Sequence, residues 1–317
     1  MNKFTEIIDL IKSSEKIAVL VHENPDGDAA GSLIAMTEGL HLLGKDVKGY
    51  LENIPSNCGF LFPDERISLL EEYNGEAYDL CVVLDCGDIQ RTGLGSKVYE
   101  NSQKSICMDH HMTNTGFANL NYIDAKASAT GEIVFEFFEE LGLTLNERMA
   151  TAMYAAIISD TGRFKNSNTT QKTFEIASKL MAFPMDITKI AYHMFLETSL
   201  ERTLFLGNLL SNLKMYCDGK VGVLIAKEDE IEKYGISHSE LDGMVEYARN
   251  IKGVEVGVFV KQMNGGYKVS LRSNGKVDVA EVAQKFNGGG HKFAAGCKFA
   301  DVSADEVVRL LVKEFGG

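Results

Sequence analysis

The hydrophobic positions in the first part of the chain form short apolar runs that alternate with longer amphipathic segments. Residues 17–21, Ile-Ala-Val-Leu-Val, form the first run, and residues 79–85 and 104–108 contain two more. Apolar runs of this length predict buried, parallel strands. Between them, apolar residues recur at helical spacing, as in residues 29–43. This alternation predicts an α/β fold, with a mainly parallel sheet and helices on both faces.

Further elements follow from the same patterns. Residues 46–51 predict another strand, and residues 147–159 predict a helix that is buried because it is apolar or small almost all round. Residues 170–214 predict helix throughout, with Pro184 as the one clear break. The first residues of the chain predict a short amphipathic helix rather than a signal peptide.

Beyond about residue 220 the pattern changes to that of a smaller α/β domain. The predicted elements there are strands 221–226, 254–261 and 267–272, and helices 239–250, 278–286 and 304–314. The sequence Asn264-Gly265-Gly266 predicts a hairpin turn between two of these strands. We therefore predict an N-terminal domain at 1–190, a helical connector at 191–219 and a C-terminal domain at 220–317.

Three of the predicted strands are followed by carboxylate or imidazole side chains, and the buried helix also ends on a carboxylate. These residues are His22, Asp26, Asp28, Asp85, Asp109, His110, His111 and Asp160. An isolated Asp-Gly-Asp stretch such as 26–28 is usually a solvated turn. Parallel strands, however, bring their carboxyl ends to one edge of a sheet. Several buried carboxylates are costly without a counter-charge, so the sequence predicts a cation site at this edge.

Net charge narrows the range of ligands. The 317-residue chain carries a formal net charge of −13, but residues 251–300 carry +5 and the remainder −18. Wrapping of long duplex nucleic acid requires many phosphate contacts by Lys and Arg, which this balance disfavours. An acidic body with one basic segment suits a small phosphorylated ligand. From charge alone, a chance excess of surface lysines is the simpler explanation.

Cysteine usage and hydropathy bear on the compartment. The six cysteines form no Cys-x-x-Cys pair, and several lie in apolar strand contexts, which predicts reduced, mostly buried thiols. No apolar run approaches the ~18 residues that a transmembrane helix needs. We therefore expect a cytoplasmic protein that does not associate with membranes.

In their order along the chain, these motifs resemble the DHH phosphoesterase superfamily. The matching stretches are 22–29 (His-Glu-Asn-Pro-Asp-Gly-Asp-Ala), 84–88 (Leu-Asp-Cys-Gly-Asp), 109–111 (Asp-His-His) and 159–164 (Ser-Asp-Thr-Gly-Arg-Phe). Residues 270–274 and 288–297, Ser-Leu-Arg-Ser-Asn and Gly-Gly-Gly-His-Lys-Phe-Ala-Ala-Gly-Cys, resemble its C-terminal substrate-binding domain. A stand-alone pair of these domains is most similar to the oligoribonuclease and 3′-phosphoadenosine 5′-phosphate phosphatase type, called nano-RNase.

The resemblance implies two divalent cations. It assigns His22, Asp26 and Asp85 to one ion, and Asp28, Asp85, His110 and Asp160 to the other. Asp85 would bridge the two ions and take part in catalysis. A donor set of carboxylates and imidazoles without thiolate favours Mn²⁺, with Mg²⁺ and Co²⁺ as alternatives.

The resemblance also implies residues that face the substrate. His111 would be catalytic, either stabilising phosphoryl oxygens or handling a proton. In the C-terminal domain, Arg272, Gly288, Gly289, Gly290 and His291 would bind the far end of the substrate. A glycine run alone is more often a tight turn. Asn287 departs from the family pattern, which often has another glycine there.

The predicted activity is hydrolysis of short oligoribonucleotides of about two to five nucleotides, including pApA, and of 3′-phosphoadenosine 5′-phosphate to AMP. A RecJ-like single-strand exonuclease is an alternative, although it usually has a longer basic channel. A family II-like pyrophosphatase is another, but its C-terminal half lacks the Gly-Gly-Gly-His stretch. A nucleotide-binding sensor without turnover is a third, and it would be expected to have lost ligands. A homodimer is compatible with all of these.

Overall fold

The computed structural model describes residues 4–62, 64–263 and 265–316. Two compact units make up the chain, Met1–Glu197 and Thr198–Gly317. Of the predicted hairpin turn, Asn264 lies outside the described residues.

The first unit alternates strands and helices. In chain order they are α1 (Thr5–Ser13), β1 (Lys16–Leu20), α2 (Gly27–Leu42), β2 (Asp46–Leu51), β3 (Ile67–Leu69), β4 (Tyr78–Leu84), α3 (Ser96–Glu100), β5 (Ser102–Asp109), β6 (Leu120–Ile123), α4 (Thr130–Leu141), α5 (Glu147–Asp160), α6 (Gln171–Leu180) and α7 (Ile187–Ala191). Short 3₁₀ helices lie at Ser56–Leu61, Leu70–Glu72 and Ile89–Gly95, and a π-helical turn lies at Tyr192–Leu196.

Within the described residues of this unit, the sheet has six strands in the order β3-β2-β1-β4-β5-β6, and every pair is parallel. The central strand β1 aligns Val19 with Gly49 of β2 and with Val82 of β4. The strand order reverses between β1 and β4, so their carboxyl ends open the crevice in which such sheets bind ligands. The predicted α/β fold with a mainly parallel sheet is confirmed.

Both faces of this sheet are covered. Ile17 and Val19 of β1 belong to the larger core, which also contains the buried faces of α2, α4 and α5. Ala18 and Leu20 point to the opposite face and pack in a smaller core with Val98 of α3. The alternation follows from the two-residue period of a strand. Because both faces are buried, residues 17–20 of β1 and 80–84 of β4 are all apolar, which is why the positions of these strands could be predicted.

The predicted continuous helix over 170–214 is wrong. It is divided into α6, α7, the π-helical turn and, in the second unit, α8 (Leu200–Ser211), and Lys214–Tyr216 is strand β7. Two of the interruptions occur where polar side chains cap new helices, since Asp186 accepts a hydrogen bond from Lys189 N–H and Ser199 accepts one from Arg202 N–H. Such caps start a helix only after the preceding chain has left helical geometry.

The second unit contains a mixed sheet. Its remaining elements are β8 (Val221–Ala226), α9 (Glu228–Tyr234), α10 (Val245–Arg249), β9 (Val256–Met263), β10 (Gly266–Ser273), α11 (Val279–Gln284), β11 (Gly289–His291), β12 (Ala294–Ala300) and α12 (Ala304–Glu314). In the described residues the strand order is β11-β12-β10-β9-β8-β7. Only β8 and β9 are parallel there, and the other pairs are antiparallel.

One prediction for this unit needs correction. The helix predicted at 239–250 is a 3₁₀ turn, His238–Leu241, followed by the short α10, with Gly243 at φ +80° between them. The glycine run, which the resemblance assigns to substrate binding, contributes Gly289 and Gly290 to the edge strand β11. All six cysteines lie in the described ranges and are unpaired, as predicted. In the part of the chain that the structure describes, no helix is long and apolar enough to span a bilayer.

Candidate functional site

Asp26 and Asp28 lie at the start of α2, where backbone N–H groups have no helical acceptor. Asp26 Oδ1 accepts hydrogen bonds from the N–H of Asp28 at 2.9 Å and of Ala29 at 3.1 Å, so Asp26 caps this helix. Asp28 is fully buried, and its oxygens accept from the N–H of Thr130 at 2.6 Å and of Gly131 at 2.9 Å. Asp28 thus satisfies the first two N–H groups of α4, a helix whose own N-cap makes no side-chain hydrogen bond.

Asp85 directly follows β4 and lies at the centre of the cluster. Its backbone has a φ of +54°, which is uncommon for any residue but glycine, and it is only 2% exposed. His22 Nε2 lies 3.6 Å from Asp85 Oδ2, and His110 Nε2 lies 3.4 Å from Asp85 Oδ1. A buried carboxylate on an unfavourable backbone is typical of a functional site.

His110 follows β5 and lies among three carboxylates. Besides its contact with Asp85, its Nε2 lies 3.2 Å from Asp160 Oδ2 and 3.8 Å from Asp28 Oδ2. Its Nδ1 lies 3.3 Å from the carbonyl oxygen of Ala127. Donation from Nδ1 to that carbonyl directs Nε2 at the carboxylates, so that Nε2 would be the ligand atom once it has lost its proton, the arrangement of a metal-ligating histidine.

The ligand-capable side chains form three overlapping groups, in each of which the ligand atoms lie within 4.8 Å of one another. The groups are His22, Asp26 and Asp85; Asp28, His110 and Asp160; and Asp85, His110 and His111. The structure thus brings together all six residues that the sequence predicts as metal ligands. It adds His111 to the third group, although the sequence predicts a substrate-facing role for that side chain.

The charges of these groups are strongly coupled. Burial, followed by the charges of Asp85 and Asp160, raises the pKa of Asp28 well above its ordinary value. Burial and the charge of Asp85 raise the pKa of Asp160 to about 7. Burial lowers the pKa of His110, but hydrogen bonding with Asp85 and the nearby carboxylates outweigh it and raise that pKa to about 10. Without metal the cluster therefore retains protons, and a divalent cation would replace them.

The donor set fits a hard or intermediate divalent cation. Its atoms are carboxylate oxygens and imidazole nitrogens, the ligands that Mn²⁺ and Mg²⁺ accept. Cys86 and Cys107 are close in sequence to these ligands, but burial raises the pKa of each thiol to about 12. Cys86 Sγ donates to the carbonyl oxygen of Asp88 at 3.0 Å. Neutral thiols with protein partners are not ligands, so the site has no soft donor that would favour zinc.

His111 is held by a buried carboxylate. Its Nδ1 lies 2.7 Å from Asp109 Oδ1, and Asn114 Nδ2 donates to Asp109 Oδ2 at 2.6 Å. Asp109 is fully buried, whereas the His111 side chain is 33% exposed. The hydrogen bond to Asp109 is the main cause of a raised pKa of His111. This arrangement fixes the imidazole through Nδ1 and leaves Nε2 for a ligand or a proton.

The sequence analysis missed the segment that positions these ligands, residues 127–131. Thr130 Oγ1 donates to Asp85 Oδ1 at 3.0 Å. The same segment provides the N–H groups that donate to Asp28 and the carbonyl oxygen of Ala127 that contacts His110. Asn168 Nδ2 donates to the carbonyl oxygens of Ser128 at 2.9 Å and of Asp160 at 3.2 Å, which ties the end of α5 to the same segment. One short stretch of chain therefore contacts three predicted ligands directly and is linked to the fourth, Asp160, through Asn168.

A weak signal for this segment exists in the sequence. Ser128, Thr130 and Gly131 directly precede the apolar run of α4, a composition typical of helix starts. That signal predicts a cap within the helix itself. It does not indicate that the helix N–H groups bind a carboxylate from α2.

The predicted substrate-binding side chains of the C-terminal unit share one face of its sheet. Arg272 of β10 and His291 of β11 both align with Ala294, from opposite sides of β12. Directly opposed residues point to the same face, and strands on either side of a third are roughly 10 Å apart, twice the strand spacing. Arg272 Nη1 donates to the carbonyl of Leu271 at 3.0 Å and its Nε lies 3.5 Å from Glu246 Oε1, while His291 is exposed.

The three predicted glycines differ in their surroundings. A Cβ at Gly288 would lie 2.2 Å from the carbonyl oxygen of Gly296, and one at Gly290, where φ is +142°, would lie 2.5 Å from that of Ala294. Both glycines are therefore needed for β11 to pair with β12. A Cβ at Gly289 would meet nothing within 4 Å. The preceding Asn287 has a φ of +56°, a conformation that Asn tolerates better than most residues, so it can stand where glycine is usual.

Fold and site together define a class, that of α/β enzymes with a divalent-metal centre at the carboxyl edge of a parallel sheet. Two family models match the chain in agreement with this. The model for the DHH family, N-terminal domain, matches residues 16–157, and that for the DHHA1 domain matches residues 218–316. The chain belongs to the DHH family of metal-dependent phosphoesterases.

Individual relatives match nearly the whole chain. The bifunctional oligoribonuclease and PAP phosphatase NrnA of Bacillus subtilis is 31% identical over 97% of this chain and 96% of its own length. The protein of the same name from Thermus thermophilus is 29% identical over 98% and 93%. The crystal structure of an exopolyphosphatase-related protein from Bacteroides fragilis is 25% identical, with a TM-score of 0.92 over 99% of this chain and 98% of that one.

Proposed function

We propose that this chain hydrolyses short oligoribonucleotides of about two to five nucleotides, including pApA, and 3′-phosphoadenosine 5′-phosphate, with two divalent cations. The convergence of His22, Asp26, Asp28, Asp85, His110 and Asp160 at one edge of the parallel sheet carries the proposal. The names of the NrnA relatives, oligoribonuclease and PAP phosphatase, support the substrate class. The unpaired cysteines support a reducing compartment, and we place the enzyme in the cytoplasm.

His22, Asp26 and Asp85 would hold one ion, and Asp28, Asp85, His110 and Asp160 the other, with Mn²⁺ favoured by the mixture of oxygen and nitrogen donors. When bound, such ions supply a water of lowered pKa and positive charge for the phosphoryl oxygens. The protein itself sets the positions of the donors. The hydrogen bonds of Thr130 to Asp85 and Asp28 hold two of these carboxylates before any ligand arrives.

His111 handles a proton in this proposal. With Nδ1 bound to Asp109, its Nε2 can donate a hydrogen bond to a phosphoryl oxygen or a proton to the departing oxygen. The pKa of His111 is raised above its ordinary value, mainly by Asp109, so the imidazole is protonated over a wider pH range than a free histidine. Asp109 acts through His111 and is a positioning residue.

The C-terminal unit would bind the far end of the substrate. Arg272 and His291 lie on the same face of its sheet, where they offer a guanidinium fork and an imidazole to a terminal phosphate. Gly289 would allow close backbone approach. Gripping both ends would limit the length of a good substrate, and the acidic surface would disfavour long chains.

A time course with Mn²⁺ on 5′-phosphorylated RNAs of two to twenty-four nucleotides, with 3′-phosphoadenosine 5′-phosphate alongside, tests this function. We expect rapid loss of the shortest RNAs and of the nucleotide, with the longest RNAs spared. Efficient degradation of the longest RNAs would instead favour a RecJ-like exonuclease. Binding of nucleotides without turnover at any metal concentration would favour a sensor.

A further inference from the structure

A cavity of about 120 Å³ lies on one face of the C-terminal sheet, beside the 3₁₀ turn at 238–241. The lining side chains that bear on its chemistry are Asp242, Phe259, Lys261, Lys268, Ser270 and Arg272. In the sheet register Lys261 of β9 lies opposite Lys268 of β10, and Phe259 lies opposite Ser270. Opposed residues share a face, so the strands themselves direct these side chains to one side of the sheet.

The side chain of Lys261 is buried, which is unusual for a lysine. It is only 7% exposed, and its ammonium donates one hydrogen bond, to the carbonyl oxygen of His238 at 3.1 Å. In the described part of the chain it makes no ion pair. Burial lowers the pKa of Lys261, and the charge of Asp242 offsets this only in part. A buried cation without a carboxylate partner is destabilising, and an apolar residue of similar size would be more stable there. Stability therefore does not explain this lysine.

The cavity is positively charged in an acidic protein. Three cations, Lys261, Lys268 and Arg272, line it together with one carboxylate, that of Asp242. Glu246 outside the lining pairs with Arg272 at 3.5 Å and also with Arg249, so it does not neutralise the two lysines. The Ser270 hydroxyl adds a neutral donor. The lining alone has an excess of about two positive charges, which Glu246 offsets in part at Arg272. With its N–H and O–H donors this lining suits a terminal phosphate, which carries nearly two negative charges at neutral pH.

We propose that Lys261 is a specificity residue that, with Lys268 and Arg272, binds the terminal phosphomonoester of the substrate in this cavity. The proposal rests on the proposed function and goes beyond it, because it assigns a further ligand residue and predicts selection for a terminal phosphate over a terminal hydroxyl. An internal phosphodiester has one charge fewer and would bind less well. Phe259 also lines the cavity and is 4% exposed, and an apolar side chain beside an ion pair strengthens that pair by lowering the local dielectric constant.

Isothermal titration of the full chain in EDTA, which prevents turnover, tests the proposal with pApA, ApA and inorganic phosphate as probes. We expect the wild-type chain to bind pApA more tightly than ApA. Lys261→Met, which retains the aliphatic volume, should weaken pApA binding at least tenfold and leave ApA binding within twofold. Lys261→Arg should restore most of the affinity. The melting temperature of Lys261→Met should equal or exceed that of the wild type, because an unpaired buried charge has been removed.

Lys276→Met is the matched control. Lys276 lies in the same unit, is 74% exposed and pairs with Glu255 at 2.9 Å, outside the cavity. Its replacement should leave binding of all three probes unchanged. The proposal is overturned if Lys261→Met binds pApA within twofold of the wild type, if it loses pApA and ApA equally, or if no probe binds the wild-type chain. Binding of inorganic phosphate that depends on Lys261, with no nucleotide bound or hydrolysed in Mn²⁺, would keep the anion site and refute the proposed function.

Discussion

The two candidate sites of this chain are built in opposite ways. At the metal site, the carboxylates are held by the protein, since Asp28 accepts two backbone N–H groups and Asp85 accepts the hydroxyl of Thr130. On the C-terminal sheet, the buried ammonium of Lys261 has one carbonyl partner, and His291 is exposed. A metal centre requires fixed donors before the ion binds. A recognition site must keep its donors free for the ligand, so under-satisfied cations are a sign of recognition here.

The strongest test of the metal site removes its central carboxylate. Asp85→Asn should lower kcat by about 10³-fold, equivalent to about 4 kcal/mol of transition-state stabilisation, and should abolish tight Mn²⁺ binding. The matched control is Asp88→Asn, because Asp88 follows the same strand but binds Gln90 N–H and the Thr115 hydroxyl. Turnover assays and Mn²⁺ electron paramagnetic resonance measure the two effects. Equal loss in both variants would show that Asp85 has no special role.

A smaller effect on Mn²⁺ binding is expected for Thr130, which contacts the predicted metal ligand Asp85. Thr130→Ala should weaken Mn²⁺ binding by about 10- to 100-fold, the usual range when an outer hydrogen bond to a ligand is removed. Thr130→Ser retains the hydroxyl and should recover most of that affinity. Isothermal titration with Mn²⁺ gives the comparison without an activity assay. If the alanine variant bound Mn²⁺ as tightly as the serine variant, the contact with Asp85 would be incidental.

Protons and divalent cations should compete for the ligands of the metal site. His110, with a pKa raised to about 10, and Asp160, with a pKa raised to about 7, must lose protons when a cation binds. Mn²⁺ affinity should therefore fall by about tenfold per pH unit below pH 9, and more steeply below pH 7. Titrations between pH 6 and 9 check this. A pH-independent affinity would exclude His110 as a ligand.

The same groups set the sign of the stability change in metal-free protein. Their pKa values are higher in the folded chain than in the unfolded one, so the folded state binds more protons. This contribution is complete below the unfolded values and is lost as pH rises through the folded ones. In EDTA, the melting temperature should therefore be lower at pH 9 than at pH 6.5, and Mn²⁺ should reverse the difference.

The smallest effects should distinguish Gly289 of β11 from Gly288, which directly precedes that strand. Gly288→Ala places a Cβ against the carbonyl oxygen of Gly296 and should lower the free energy of unfolding by about 1–3 kcal/mol. Gly289→Ala meets no atom within 4 Å, so stability should be unchanged while the KM for pApA rises a few-fold. Thermal melts and steady-state kinetics measure the pair. An unchanged KM in Gly289→Ala would remove this glycine from the substrate site.

The sequence was most informative where burial alone decides the structure. Strands β1 and β4 are largely apolar because both faces of the sheet are covered, and β2 and β8 were predicted with the bounds observed. Edge strand β6 was missed because only alternate residues are partly buried, which leaves no apolar run to detect. Edge strand β11 consists of two glycines and a histidine, and its pairing depends on β12, an element that was not predicted.

The candidate site shows the same limit. The ligand side chains could be predicted because carboxylates and imidazoles after buried strands need an explanation. The roles of Thr130 and Lys261 could not be predicted, because they depend on contacts between residues distant in sequence. Thr130 is important because it contacts Asp85. Lys261 is important because its buried ammonium contacts a carbonyl oxygen and no carboxylate among the described residues. Backbone N–H groups that donate to a side chain, such as those of Thr130 and Gly131 to Asp28, have no sequence signature at all.

The double hydrogen bond from the start of α4 to Asp28 also links a helix end to the chemistry. Unwinding the first turn of α4 would release Asp28, and withdrawing Asp28 would leave two buried N–H groups without acceptors. The two events therefore form one cooperative opening reaction. The amide hydrogens of Thr130 and Gly131 should exchange with solvent only when their hydrogen bonds to Asp28 break. Their exchange rates therefore report how often the metal site opens in the absence of substrate.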